Sequence, residues 1–99
     1  MAITVLTRFS GGNRDAMIAL AKQAKPIVEQ AGAEFFRLSQ IYTGQWAGQL
    51  AVASRYPDWA TYGQAQQALA GNAAYQALLA EANAISHLEG RTILTSIDL

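Results

Sequence analysis

Residues 51–57 read Ala-Val-Ala-Ser-Arg-Tyr-Pro, and residues 4–10 read Thr-Val-Leu-Thr-Arg-Phe-Ser. Val52 answers Val5, Ser54 answers Thr7, Arg55 answers Arg8 and Tyr56 answers Phe9, all at one constant offset. Each copy alternates in period two and then meets a helix-start signal, as a strand does when it delivers the chain to a helix. The repeat divides the chain into two strand-helix-strand halves, residues 2–42 and 49–97, within a single domain covering residues 1–99. Each half can be followed outward from its copy.

Ala2 to Phe9 is strand 1. Ser10-Gly11-Gly12-Asn13 ends it, and Asn13 is suited to cap a helix whose first turn carries Asp15. Met17, Leu20, Ala24, Ile27, Val28 and Ala31 recur at spacings of three and four and mark that helix's buried stripe. Pro26 lies inside the stripe and predicts a kink, and Gly32 supplies the C-terminal stop. Glu34 to Tyr42 is strand 2. Thr43 to Gly48 then turns back into strand 3 as a hairpin, with Trp46 at its tip exposed unless another surface covers it. After strand 3, Asp58 caps the second helix. Ala70-Gly71-Asn72 interrupts that helix, and a further segment carries Tyr75, Leu78, Leu79, Ala82 and Ile85 before strand 4, Leu88 to Ile97.

Two strand-helix-strand halves predict an α+β, ferredoxin-like βαββαβ fold: a four-stranded antiparallel sheet in the order 4-1-3-2 with the helices on one face. The opposite face is bare, yet the strands carry apolar or small residues at both parities. A homodimer packed through the two bare faces is the economical way to cover it.

Composition narrows the function. The 99 residues include seven basic and seven acidic side chains, so no net field favours nucleic acid or an anionic membrane as partner. No cysteine is present, which removes thiol nucleophiles and thiolate metal sites. No apolar run approaches the roughly 20 residues of a membrane span, and no stretch reads as a signal peptide. A cytoplasmic domain without metal or cofactor is the expectation.

The segments Arg55-Tyr56-Pro57-Asp58-Trp59-Ala60 and Tyr75-Gln76-Ala77-Leu78-Leu79, with the small-residue break between them, resemble the dimeric α/β-barrel superfamily. Its members include small antibiotic-biosynthesis-type monooxygenases, muconolactone isomerases and uncharacterised domains. The resemblance covers nearly the whole chain. It implies a ligand pocket between the sheet and its own helices, and cofactor-free oxygenase or isomerase chemistry on a small aromatic or anionic molecule. Haem-handling relatives use a histidine on the helix after strand 3, and this chain has none between Pro57 and Ser86. The alternative is a non-catalytic, self-associating domain.

The candidate ligand-binding residues fall into three groups. Tyr56, Trp59, Tyr62 and Tyr75 gather around helix 2 and the segment after its break, either as an aromatic pocket or as core. His87, the lone histidine, is a possible base that has no acidic partner at a recognisable spacing. Arg8, Arg37, Arg55 and Arg91 lie one per strand. With strands 1 and 3 read as parallel, all four fall at one end of the sheet. There they hold either an anionic ligand or carboxylates, those of Glu34, Glu89 and Asp98 or of a dimer partner.

Overall fold

Strand formation follows the alternation. The computed structural model describes residues 1–99 and has β1 (Ile3–Ser10), α1 (Arg14–Ala31), β2 (Phe35–Gln40), β3 (Leu50–Tyr56), α2 (Trp59–Ala70), α3 (Ala73–Ile85) and β4 (His87–Thr95). The sheet order is β2-β3-β1-β4, with every neighbouring pair antiparallel. This is the predicted ferredoxin-like arrangement. No helix is long and apolar enough to cross a membrane.

Helix ends are fixed by short polar side chains. Asn13 accepts a hydrogen bond from the Ala16 amide, Asp58 from Thr61 and Asn72 from Tyr75, so each satisfies an amide that the first turn leaves unpaired. The break after Ala70 separates α2 from α3. The Gln76 side-chain amide spans it and donates to the Leu69 carbonyl at 3.0 Å. Pro26 lies within α1 and does not end it. At C′ of α1, Gly32 has φ 135° and donates to the Glu29 carbonyl.

Register decides which side chains meet the helices. Ile3 pairs with Tyr56, Val5 with Ser54, Thr7 with Val52 and Phe9 with Leu50, and six of these eight are buried against the helices. The core is divided. Ile3, Val5, Val28, Phe36, Tyr56, Ala65 and Leu69 belong to one cluster, and Phe9, Met17, Leu20, Leu50 and Ala82 form another.

The other parity points away from the helices and includes Thr4, Leu6 and Arg8 of β1, Phe35 and Arg37 of β2, Ala51, Ala53 and Arg55 of β3, and Leu94 of β4. The hairpin tip reaches Arg8 on this side: the guanidinium lies 3.7 Å from the centroid of the Trp46 ring, and its Nη1 donates to Gln49 Oε1 at 2.9 Å. Trp46 is still 43% exposed.

β4 carries one irregularity. Arg8 pairs with Gly90 but Phe9 pairs with Leu88, so Glu89 is an extra residue in a β-bulge. The bulge shifts the alternation, so that both Leu88 and Arg91 contribute to the helix side of the sheet.

Two strand ends differ from the sequence reading by two residues, and the other boundaries of β1, β2 and β4 by one. β2 stops at Gln40, because Ile41 donates to the Gln49 carbonyl and accepts from the Gly48 amide as the loop closes, leaving Tyr42 in solvent. β4 ends at Thr95 rather than Ile97.

Candidate functional site

Between the two core clusters the packing leaves a cavity of about 110 Å3, open on one side. Met17, Leu20, Ala21 and Ala24 of α1 form its roof, and Phe9, Phe36, Leu38 and Val52 its floor. The small side chains at 21 and 24 leave this space where a larger pair would fill it. Twelve of the thirteen lining residues are apolar, so the chamber has almost nothing to offer water.

A second cavity of about 290 Å3 adjoins it and shares Thr7, Phe9, Tyr75 and Leu79 with the first. Its remaining wall is mixed: Gln66 of α2, Gln76 and Asn83 of α3, and Arg91 of β4 supply polar groups beside Leu69, Ala70 and Leu88. The break at Gly71 lets α3 start afresh, and Tyr75 in its first turn then stands where the two spaces meet. Arg91 pairs in register with Thr7 and takes part in none of the protein's three ion pairs.

Two tyrosines that feel the Arg91 charge are shifted in the same direction. Burial raises the Tyr56 phenol above its usual value, against the opposing effects of the Ser54 hydroxyl and the Arg91 charge. Burial also raises Tyr75, with the neighbouring Tyr56 adding to the shift and Arg91 opposing it. Both phenols are therefore neutral at physiological pH and are hydrogen-bond donors, not bases. No histidine or carboxylate lines either cavity.

Of the nine candidates read from the sequence, Tyr75 and Arg91 line this site. Tyr56 lies beneath it in the core, with Tyr62 edge-on at 5.3 Å. Trp59 packs on Tyr62 at 6.0 Å but is 51% exposed and outside the cavities. His87 is exposed at the start of β4, 3.9 Å from Glu89.

The expected convergence of four arginines does not occur. β1 and β3 are antiparallel, so Arg55 pairs with Thr4 at one end and Arg8 with Ala51 at the other. Four residues of strand, about 13 Å, separate the two rows. Arg8, Arg37 and Arg55 also share the face away from the helices, whereas Arg91 faces the helices. Arg55 is matched by Glu34 at 3.6 Å. Glu89, a suggested partner for Arg91, instead accepts from the Ser10 hydroxyl.

Thr7, Gln66, Gln76 and Asn83 were not singled out from the sequence. The signal for two of them is present: Gln76, Leu79 and Asn83 recur at three and four on α3, a second stripe beside the buried one.

No protein-family model matches the sequence, and no curated protein matches it. Solved structures do. SnoaB, a cofactor-independent oxygenase from Streptomyces nogalater, matches at 12% identity with a TM-score of 0.75, over 99% of this chain and 95% of that one. An uncharacterized NIPSNAP domain protein from Burkholderia xenovorans matches at 17% and 0.75, over 98% and 95%. Rv0793 from Mycobacterium tuberculosis matches at 18% and 0.70, over 100% and 98%. At these identities the likeness is one of fold. The chain has a ferredoxin-like fold and shares it with these three proteins.

Proposed function

We propose that the protein binds a small organic molecule between its sheet and helices and converts it without a cofactor, as an oxygenase or an isomerase. The observation that carries this reading is an apolar chamber opening past Tyr75 and Leu79 onto an arginine with no carboxylate partner. In an oxygenase of this kind the bound substrate, as its own enolate or phenolate, supplies the electron pair and dioxygen is the oxidant. In an isomerase a proton leaves one carbon and returns to another. Both routes pass through an oxyanion, which Arg91 and the Tyr75 hydroxyl would stabilise in a space poor in water. With no carboxylate or imidazole lining the cavity, the substrate itself must be acidic enough to lose its proton.

Titration with small aromatic compounds tests the reading. A concentration-dependent rise in melting temperature is expected, worth about 2.7 kcal/mol of stability at a hundredfold excess over Kd. Ala21→Leu, which fills the chamber, should remove the increment while the protein stays folded. If no compound raises the melting temperature with concentration, the reading is overturned.

We further propose that two copies pair through the face bearing Leu6, Phe35, Ala51, Ala53 and Leu94. These residues support it because an apolar sheet face left in water is costly. That face alone also supports the second reading, a domain that only self-associates. Sedimentation is expected to show a dimer, and a monomer across the accessible concentration range would remove both the dimer and that reading.

A further inference from the structure

The two spaces differ in size and in chemistry, and together they narrow the ligand. We infer that the site takes a monoanion built on a single six-membered ring, the ring in the apolar chamber and a carboxylate or phenolate oxygen in the polar space beside Arg91. This rests on the reading of the cavity as a ligand site.

Size sets the ring count. A closed apolar cavity of about 150 Å3 accommodates one benzene ring. The chamber measures about 110 Å3 and is open, so one ring enters with an edge projecting past Tyr75 and Leu79. A second fused ring would have to displace Met17, Leu20 or Ala82, all buried in the smaller core cluster, or extend into the adjoining space that the anionic group needs.

Charge sets the head group. Arg91 is the sole cation in the polar wall, and Gln66 and Asn83 are neutral amides. The Gln76 amide is already engaged with the Leu69 carbonyl. One guanidinium matches one carboxylate or phenolate, which can accept bidentate or single hydrogen bonds from it. A phosphate dianion would leave charge unmatched. Tyr75, protonated at neutral pH, adds a donor at the junction without adding charge.

The test compares benzoate, benzamide, 2-naphthoate and 9-anthracenecarboxylate by calorimetry at equal ionic strength, on the wild-type chain and on Arg91→Met. Arg91 is exposed, so its replacement should leave the fold intact. Benzoate is expected to bind about ten- to a hundredfold tighter than benzamide. The Met variant should lose that preference while keeping its benzamide affinity, and affinity should fall from benzoate to the three-ring acid. Tighter binding of 9-anthracenecarboxylate overturns the ring count. Equal binding of benzoate and benzamide, or a benzoate preference that survives Arg91→Met, overturns the charge assignment. In each of these cases the cavity remains a ligand site. Binding of none of the four overturns the ligand site itself.

Discussion

Replacing Tyr56 by alanine is expected to cost about 3–5 kcal/mol, the range for removing a large ring from a packed interior. Tyr56 is 1% exposed and pairs in register with Ile3, the other large side chain with no accessible surface. Tyr62 meets its ring edge-on, and Ala65 and Leu69 of α2 belong to the same cluster. The strand end and the helix that follows are thus joined through this one ring, and little around it can close the void. At roughly 4–8 °C per kcal/mol for a domain of this size, thermal denaturation should show a fall of more than about 12 °C. Tyr56→Phe keeps the ring and loses only the hydroxyl, so it should cost about 1 kcal/mol. A Tyr56→Ala protein that melts within a few degrees of wild type would show that this ring is not what holds α2 to the sheet.

The second large effect is expected at Gly12. Its φ of +75° is one that residues with a Cβ adopt only at a cost of about 1–2 kcal/mol. A Cβ there would also overlap the Ile85 carbonyl oxygen and lie 3.2 Å from the Ser86 Cβ. The loop after β1 therefore rests directly on the end of α3, backbone against backbone, and neither side can rotate away. Gly12→Ala should cost roughly 2–4 kcal/mol, as the loop must lift from α3 as well as bear the dihedral strain. Gly11 is the internal control. It has φ +68° but nothing within 4 Å of a built Cβ, so Gly11→Ala should carry the dihedral cost alone. Denaturant melts giving equal losses for the two variants would mean that the α3 contact contributes nothing.

The sheet order was legible because period-two alternation and the repeated strand ending are both local signals. The antiparallel order already sets strands 1 and 3 in opposite directions, and the parallel reading behind the arginine cluster conflicted with it. A repeat identifies Arg8 with Arg55, but equal sequence in two halves does not distinguish a translation from a rotation. Here the equivalent strands run antiparallel, so matched residues occupy opposite ends of the sheet. The arginine cluster failed on that point and on facing, since Arg91 lies on the helix side and the other three on the opposite face. Arg91 was among the candidates, but the bulge that brings Leu88 to the same side depends on pairing with β1, which no local pattern announces. The chamber was hidden for a related reason. Ala21 and Ala24 read as ordinary helix formers, and only the opposing Phe36 and Val52 show that their small size leaves a space.

Glu89 has a consequence for how the chain can change in length. Gly90 already sits opposite Arg8 and Leu88 opposite Phe9, with Glu89 looped out between them. Deleting Glu89 would close the strand into regular pairing and leave its neighbours opposite their present partners, at the loss of the hydrogen bond from Ser10. Deleting a regularly paired residue of β4 would instead invert the facing of the residues on one side of the gap, exchanging helix-side and outward side chains. The bulge is thus the position in β4 where an ancestral insertion or a later loss of one codon leaves the reading of the sheet unchanged.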